Sequence, residues 1–395
     1  MKWAHAMAVL FAATTMGAWA EADSKTWESV DDATAVYSDA ILSRGDPNIL
    51  RRAFDKAERG ETLHVAVIGG SITEGAAAGA PGRDWGALFV SGWRKLFPKT
   101  KVEFLNAGVG ATGSLVGAFR YSQHVSPFRP DVLAIEFSAN DSDGDEARQT
   151  MEGLIRHALR EGTAVVLLGM TQQNGTSAQA SHLKAAERCG VPFVSYRDGM
   201  MRMIKEGRWQ WKDFAADSVH PNRRGHALAG ELMNTFVRDE FRRYKDDCIV
   251  KPAIPLAPGT NAFEQGSFTP FSRVELTENH GFVPYKEERS GWGAGLMSTN
   301  AGDRIAFTFT GSAAAFLYRK GNLDKGMGCV QVTVDGQPLS ETPTAFAKGI
   351  WWWWTPAYWL CRDKAGVHTV KIETLPPEKP NGPVGFRLAV LMISP

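Results

Sequence analysis

Four short segments of the sequence combine small residues with side chains that can donate, accept or hold a proton. The segments are Gly-Gly-Ser-Ile-Thr at 69–73, Asn-Ala-Gly-Val-Gly-Ala-Thr at 106–112, Ser-Ala-Asn-Asp at 138–141 and Asp-Ser-Val-His at 217–220. They supply a hydroxyl nucleophile, amide donors, and an imidazole with a carboxylate three residues before it. These are the groups that acyl transfer to a serine hydroxyl requires.

The hydroxyl, the imidazole and the carboxylate have distinct roles in such a reaction. A serine hydroxyl is a poor nucleophile at neutral pH, so we expect His220 to take the proton of Ser71. Asp217 can reach the other imidazole nitrogen, fix the tautomer and stabilise the imidazolium. The sequence therefore predicts Ser71, Asp217 and His220 as catalytic residues.

The amide donors would stabilise the negative charge that develops on the carbonyl oxygen. The glycines at 69–70 let the backbone turn tightly and leave the Ser71 amide able to point at this oxyanion. Asn140 adds a side-chain amide, and a backbone amide of the Gly110–Ala111 turn would be the third donor. Losing one such donor typically costs about 3 kcal/mol of transition-state stabilisation.

Short apolar runs alternate with helical patterns from residue 61 onward. The predicted strands are Leu63–Ile68, Val102–Leu105, Val132–Phe137, Ala164–Leu168 and Pro192–Ser195, and the predicted helices cover about 84–97, 113–123, 145–161, 177–188 and 225–243. This alternation predicts a five-stranded, doubly wound parallel sheet with helices on both faces. Ligands bind at the carboxyl ends of such strands, and all four polar segments map to that edge.

The order of the four segments resembles that of a known enzyme family. A Gly-Gly-Ser turn alone could hold phosphate, but no lysine follows in Walker spacing and the segment does not match GxGxxG. Over about residues 61–245 the segments resemble the four sequence blocks of the SGNH (GDSL-type) hydrolases, in the carbohydrate-esterase branch. Two blocks depart from the family pattern, since Gly-Gly-Ser-Ile replaces Gly-Asp-Ser-Leu and Ser-Ala-Asn-Asp replaces Gly-x-Asn-Asp.

The resemblance implies a flavodoxin-like, three-layer α/β/α catalytic domain over residues 61–250. It implies the three catalytic residues named above and Asn140 as an oxyanion donor. The oxyanion glycine of the second block falls at Ala111, which we favour as the third donor, with Gly110 as the alternative. An alanine still supplies its N–H unless the position requires a positive φ.

The composition changes at the proline-rich stretch 251–260, which predicts a linker. Beyond it, short alternating segments separated by turn signals predict an all-β, jelly-roll-like sandwich over 261–395. The predicted strands there are Arg304–Thr310, Ala314–Tyr318, Cys329–Val334, Val367–Glu373 and Phe386–Ile393. Residues 21–60, with a helical pattern at 49–57, form a lead-in region before the catalytic domain.

The first 20 residues have the pattern of an export signal. Lys2 gives a basic start, 6–16 is apolar, and Ala18-Trp19-Ala20 is a small-x-small cleavage site. The apolar run is shorter than the roughly 20 residues that a bilayer requires. We therefore expect residues 1–20 to be removed and the protein to be periplasmic or secreted, without a membrane partner.

Composition argues against several other partners. The chain has 44 basic and 43 acidic residues, a balance that gives no electrostatic reason to expect nucleic acid. No CxxC or Cys/His spacing indicates a metal site, and no cofactor is expected. Cys329–Cys361 is a candidate disulfide of the C-terminal domain and Cys189–Cys248 a second one, although four cysteines allow three connectivities.

Export, the SGNH-like domain and an aromatic β domain together resemble bacterial acetylesterases that act on polysaccharides. This resemblance predicts hydrolysis of O-acetyl groups from a saccharide through an acetyl-enzyme. A lipase or thioesterase would need a long apolar groove, whereas the loops after the first four strands are rich in Gly, Ala and Asn. An exported polysaccharide O-acetyltransferase would use the same three residues, and a carbohydrate-binding protein with a silent SGNH fold is the non-enzyme alternative.

Polar and aromatic side chains in two regions are candidates for contact with the saccharide. Those in the catalytic domain are Glu74, His124, Gln172, Gln173 and Asn174, each of which is otherwise a solvated loop residue. In the β domain, the run Trp351–Trp354 offers flat rings suited to stacking on sugars. Because alternate residues of a strand point to opposite faces, Trp351 and Trp353 are candidates for one face, and core packing is the alternative.

Overall fold

The computed structural model describes residues 27–246, 261–286, 292–320, 328–344, 357–377 and 384–395. The predicted signal at 1–20, the predicted linker at 251–260, Cys248, Trp351 and Trp353 lie outside these residues.

Helices occur almost entirely in the first two thirds of the described chain. They are α1 (Trp27–Ala40), α2 (Arg51–Glu58), α3 (Ser71–Glu74), α4 (Trp85–Leu96), α5 (Ser114–His124), α6 (Asp145–Arg160), α7 (Gln179–Cys189), α8 (Arg197–Lys205), α9 (Trp211–Phe214) and α10 (Arg223–Asp246), with short 3-10 helices at Ser126–Phe128 and Phe271–Arg273. The five predicted helices correspond to α4, α5, α6, α7 and α10 within three residues at each end. Helices α1, α3, α8 and α9 were not predicted.

Strands occur in both parts of the chain. In the first part they are β1 (Ile41–Ser43), β2 (Leu63–Gly69), β3 (Val102–Gly108), β4 (Val132–Glu136), β5 (Ala164–Gly169) and β6 (Phe193–Ser195). In the second part they are β7 (Ser267–Pro270), β8 (Leu276–His280), β9 (Val283–Lys286), β10 (Ala294–Ser298), β11 (Arg304–Gly311), β12 (Ala313–Tyr318), β13 (Val330–Val334), β14 (Gln337–Pro338), β15 (Ala357–Cys361), β16 (Gly366–Thr374) and β17 (Phe386–Ser394).

The first sheet has the strand order β1-β6-β5-β4-β2-β3. Strands β2 to β6 are parallel, which confirms the predicted five-stranded flavodoxin-like sheet. The sheet also has a sixth, antiparallel strand that was not predicted, because β1 pairs with β6 through Ile41 and Val194. The chain leaves β2 for β3 on one side and then returns to β4 on the other, which opens a crevice at the carboxyl end of β2.

Two apolar layers cover the two faces of this sheet. Every residue of β4 and β5 is buried. Because successive side chains of a strand point to opposite faces, Val65 and Val67 pack with α1, α2, α4 and α10, whereas Ala66 and Ile68 pack with α5, α6 and α7. The resulting three-layer α/β/α arrangement agrees with the prediction and fixes the carboxyl end of β2.

The second part is an all-β sandwich, as predicted. One sheet has the order β15-β12-β17-β10-β9, with β7 also paired to β17, and the other has the order β14-β13-β16-β11-β8. Phe307, Phe316, Ile372 and Leu388 are among the buried side chains that fill the space between the sheets. The five predicted strands correspond to β11, β12, β13, β16 and β17, and β7 to β10, β14 and β15 were not predicted.

The sandwich packs against the α5–α6 face of the first part through a continuous apolar cluster. Trp292, Leu317 and Ala389 of the sandwich share this cluster with Phe119 and Leu154. The buried carboxylate of Glu264 binds Arg156 of α6, with 2.9 Å between Oε2 and Nε. The two parts of the chain are therefore joined by both apolar and ionic contacts.

The candidate disulfide Cys329–Cys361 is not formed. Cys329 precedes β13 in one sheet and Cys361 ends β15 in the other, and both residues carry free thiols. Cys189 also has a free thiol, which is buried at the end of α7. Among the described residues, no helix combines the length and apolar character needed to cross a bilayer.

Candidate active site

Ser71 lies directly beyond β2, at the first residue of the short helix α3. The two glycines before it are required by crowding rather than by a left-handed backbone, since Gly70 has a φ of −86°. A Cβ at Gly69 would overlap the carbonyl oxygen of Glu136, and one at Gly70 would overlap the side-chain oxygen of Asn140. The close approach of these chains places Ser71 in the crevice at the carboxyl end of β2.

The structure brings His220 and Asp217 to Ser71. Ser71 Oγ lies 2.9 Å from His220 Nε2, and His220 Nδ1 lies 2.8 Å from Asp217 Oδ2. The turn that carries both residues is closed by the paired backbones of Ala215 and Pro221. Residues that are 149 positions apart in the sequence are thus in direct contact.

Asp217 is held in the orientation that this contact requires. Its Oδ1 accepts hydrogen bonds from the amides of Val219 and His220, each at 2.7 Å, which leaves Oδ2 for the imidazole. The indole N–H of Trp211 donates to the carbonyl oxygen of Asp217 at 2.6 Å. Burial opposes the charge of this carboxyl, but the hydrogen bonds from His220 and Val219 outweigh it and lower the pKa of Asp217. The ionised carboxylate can fix the imidazole tautomer that accepts a proton at Nε2.

The loop after β3 lies on one side of Ser71. The amide of Gly110 donates to Glu74 Oε2 at 2.8 Å, so this amide is already engaged. Ala111 is exposed and has a φ of 55°, which is the left-handed region. Its amide has no hydrogen-bond acceptor among the described residues, so the geometry favours Ala111 over Gly110 as an oxyanion donor.

The turn after β4 lies on the other side of Ser71. Asn140 is exposed, with its side-chain oxygen against Gly70. The next residue, Asp141, accepts a hydrogen bond from the amide of Ser114 at 3.0 Å and binds His182 Nε2 at 2.9 Å. Asp141 and His182 were not singled out from the sequence. The Asn-Asp pair was visible there, but the role of its second residue depends on α5 and α7.

Two buried charged groups lie beneath the site and were also missed. Arg120 of α5 donates from Nη2 to the carbonyl oxygens of Ala107 at 2.6 Å and Gly69 at 3.2 Å, at the ends of β3 and β2. Burial lowers the pKa of Arg120 to about 9 and raises the pKa of Glu136 to about 8. Glu136 lies in the predicted strand Val132–Phe137, whereas no sequence pattern distinguishes Arg120 from a surface charge.

Several candidates for saccharide contact also form hydrogen bonds within the protein. Gln172 Nε2 donates to the carbonyl oxygen of Ala139 at 2.9 Å, and Asn174 Oδ1 accepts from the amide of Thr176. The backbone amide of Gln173 donates to Ser218 at 2.8 Å, which joins the loop after β5 to the loop of Asp217 and His220.

The other two candidates in the catalytic domain, Glu74 and His124, also contact other residues of the protein. The carboxylate of Glu74 binds the Gly110 amide, as described above, and the ring of His124 packs against Phe268 at 5.5 Å. His226 of α10 accepts a hydrogen bond from the Trp85 amide at Nδ1, and its Nε2 lies 3.0 Å from the carbonyl oxygen of Ala76. Within the described residues, no group of three or more His, Cys, Asp or Glu side chains could hold a metal ion.

Comparison with known proteins agrees with the architecture. Residues 67–228 match the GDSL-like Lipase/Acylhydrolase family. A two-domain esterase (CEX) active on acetylated mannans is 26% identical, with a TM-score of 0.82 over 91% of this chain and 98% of that chain. The same esterase co-crystallized with mannopentaose matches with a TM-score of 0.80 and 26% identity over 91% of this chain and 97% of that chain.

A search of curated protein sequences finds no match. The family match covers Ser71, the loop after β3, Asn140 and the Asp217–His220 turn, and the structural match extends through the sandwich. The chain is therefore similar to the GDSL-like acylhydrolases over residues 67–228 and to a two-domain esterase over most of its length, and these findings support a carboxylic ester hydrolase with a C-terminal β-sandwich.

Proposed function

We propose that the protein is an exported esterase that removes O-acetyl groups from a polysaccharide or oligosaccharide, with Ser71 as the nucleophile. The observation that carries this proposal is the continuous chain of hydrogen bonds from Ser71 through His220 to Asp217, at 2.9 and 2.8 Å. The activity named for the two-domain esterase on acetylated mannans supports an acetylated saccharide as the substrate class. The signal-like pattern of residues 1–20 supports export.

In the first half-reaction, Ser71 Oγ attacks the acetyl carbonyl carbon while its proton moves to His220 Nε2. The oxyanion of the tetrahedral intermediate accepts hydrogen bonds from the amides of Ser71 and Ala111 and from the Asn140 side chain. His220 then gives its proton to the departing sugar oxygen, which leaves an acetyl group on Ser71. Asp217 stabilises the imidazolium in both transition states.

In the second half-reaction, a water molecule takes the place of the sugar. His220 accepts a proton from this water as its oxygen attacks the acetyl carbon. The new tetrahedral intermediate collapses by breaking the bond to Ser71 Oγ, which regains a proton from His220. Acetate leaves and the free enzyme is restored.

The decisive experiment measures acetate released from a panel of acetylated polysaccharides that includes mannan and xylan. We expect the wild-type protein to release acetate from at least one of them and the Ser71→Ala variant to be slower by about a thousandfold or more. Circular dichroism of both proteins controls for folding. Unchanged acetate release by the Ser71→Ala variant would refute the assignment of the nucleophile.

Two further measurements separate the proposed activity from its alternatives. A series of 4-nitrophenyl esters tests for a lipase or thioesterase, because preference for acyl chains longer than about four carbons would displace the acetylesterase assignment. An added unacetylated oligosaccharide tests for transfer. If that oligosaccharide became acetylated faster than acetate accumulated, the protein would be a transferase instead.

A further inference from the structure

The loop that carries Ala111 is joined to the nucleophile helix at its base. The amide of Val109 donates to the carbonyl oxygen of Gly69 at 3.0 Å. Asn106 Nδ2 donates to the carbonyl oxygen of Thr73 at 2.8 Å, and Asn106 Oδ1 accepts from the Gly108 amide at 2.8 Å. These bonds continue the pairing of β2 and β3 but end before the turn at 110–112.

Glu74 makes a contact within the turn itself, where Thr112 Oγ1 also donates to the carbonyl oxygen of Val109 at 2.6 Å. Glu74 ends the helix that Ser71 begins, and its Oε2 accepts the amide hydrogen of Gly110 at 2.8 Å. A Cβ at Gly110 would lie 2.7 Å from Glu74 Oε2 and 3.7 Å from the Cβ of Ser71. A side chain at position 110 would therefore displace the Glu74 carboxylate, which fits against the backbone of the residue before Ala111.

This contact bears on the direction of the next amide. The Ala111 N–H belongs to the planar peptide group that follows Gly110, so restricting the Gly110 backbone restricts where that N–H points. An oxyanion donor is effective only when it is oriented before charge develops. The Ala111 N–H is therefore better oriented as a donor when the Gly110 amide is held by a hydrogen bond than when it is free to rotate.

A carboxylate near a developing oxyanion would by itself oppose catalysis. Arg120 offsets this charge, because its guanidinium is fully buried below the ends of β2 and β3 and interacts favourably with Glu74. Arg120 also binds the carbonyl oxygens of Gly69 and Ala107. The negative charge of Glu74 is thus partly compensated by a buried positive charge beneath the strand ends.

We propose that Glu74 is a positioning residue that aims the Ala111 amide at the oxyanion by holding the Gly110 amide. This inference rests on the proposed acylation of Ser71 and gives Glu74 a role that does not depend on contact with the saccharide. A contact with sugar would depend on the substrate used, whereas a bond within the oxyanion loop acts on every ester.

The test compares Glu74→Ala, which removes the acceptor, with Glu74→Gln, whose side-chain oxygen can still accept from Gly110. Glu103→Ala is the matched control, because Glu103 is a surface carboxylate on β3 that pairs with Lys101 instead. On both 4-nitrophenyl acetate and an acetylated oligosaccharide, we expect Glu74→Ala to lower kcat about tenfold or more, with KM within about twofold. We expect Glu74→Gln and Glu103→Ala to stay within about threefold of wild type.

Hydrogen exchange of the amides at 109–113 gives a readout that does not depend on activity. We expect faster exchange there in Glu74→Ala than in wild type, with unchanged exchange in β2 and β4. The inference is overturned by equal exchange in the two proteins, by an unchanged kcat, or by a rise in KM confined to the oligosaccharide. Wild-type protein that hydrolyses no ester would overturn the proposed function instead, and the exchange comparison would still decide the role of Glu74.

Discussion

Ala111 occupies a backbone conformation that costs energy for any residue with a Cβ. Its φ of 55° is left-handed, which typically costs about 1–2 kcal/mol for a residue other than glycine. The sequence left open whether this position needs a positive φ, and the structure answers that it does. The strain is tolerated in a loop whose neighbouring amide is tied to Glu74.

We expect Ala111→Gly to raise the free energy of unfolding by up to about 1 kcal/mol, because relief of strain outweighs the added entropy of the unfolded chain. The amide remains, so esterase activity should stay within about threefold of wild type. The matched control is Ala80→Gly, since Ala80 is exposed but has no positive φ, and it should lower stability slightly. Chemical denaturation measures both effects, and a destabilised Ala111→Gly variant would contradict the argument from strain.

At the scale of elements, Asp141 joins three pieces of the α/β domain. It follows β4, accepts the first amide of α5 and binds the buried His182 of α7. One carboxylate therefore provides the hydrogen-bond partner for both the first amide of α5 and the imidazole of His182, which is 1% exposed. It also fixes the turn that presents Asn140.

We expect Asp141→Ala to lower the free energy of unfolding by about 1–3 kcal/mol, since it removes a helix-capping acceptor and leaves the His182 nitrogen without its partner. Asp145→Ala is the control, because Asp145 forms an exposed ion pair with Arg148 that should be worth less than about 1 kcal/mol. Urea unfolding followed by fluorescence compares the two variants. Equal decreases in the free energy of unfolding of the two variants would show that the buried contacts of Asp141 contribute no more to stability than an exposed ion pair does.

A second contact between elements is made in the sandwich by His368 of β16. His368 is buried, and its two ring nitrogens lie 2.8 Å from Asp335 Oδ2 and from the carbonyl oxygen of Lys364. Because both neighbours accept hydrogen bonds, the doubly protonated ring fits best. The hydrogen bond with Asp335 raises the pKa of His368, and the same bond lowers the pKa of Asp335 to about 2.

The sign of the pH effect follows from these shifts. The contribution of His368 to the free energy of unfolding is fully present below its unfolded pKa of about 6.5. It is lost as pH rises through the raised pKa of the folded state. The contribution of Asp335 to the free energy of unfolding is fully present above about pH 4 and is lost as pH falls toward 2. Between pH 5.5 and 8.5, the melting temperature of wild type should therefore fall more than that of His368→Gln. Parallel pH profiles would exclude His368 as the source.

The elements that the sequence predicted well are those whose burial is local and continuous. The apolar runs that became β2, β4 and β5 were found within one residue at each end, because a strand buried on both faces has few polar residues. By contrast, β1 has three residues, and its pairing with β6 joins positions about 150 residues apart. The exposed strand β9 lacks an alternating pattern, so it was missed.

The candidate site divides in the same way. Ser71, Asn140, Asp217 and His220 follow from motif order and strand ends. The partners of Glu74, Asp141 and Arg120 depend on contacts between elements distant in the chain, so spacing alone could not indicate them.

At the scale of the whole molecule, two ionic contacts between α6 and the sandwich differ in burial. Glu264 binds Arg156 where their side chains are 5% and 2% exposed, and it also binds Arg160. Arg362 binds Glu146 where the two side chains are 49% and 47% exposed, at 2.6 Å. Burial should decide which of these contacts holds the two parts together.

We expect Glu264→Ala to lower the free energy of unfolding by about 3 kcal/mol, because it leaves the buried Arg156 without its main counter-charge. Arg362→Ala removes an exposed pair and should cost less than about 1 kcal/mol. Thermal unfolding by calorimetry compares the two variants at the same pH and salt. A larger loss in Arg362→Ala would show that exposed contacts dominate this interface.

The short strand β1 sets a lower limit on how far the chain can be trimmed. A truncated protein restricted to the matched residues 67–228 would start inside β2 and stop inside α10. It would also lack β1, which leaves the outer edge of β6 without a paired strand. Such a bare rim recruits strands from neighbouring molecules and leads to aggregation. Cloning of the hydrolase part should therefore begin before Trp27 and extend beyond Asp246.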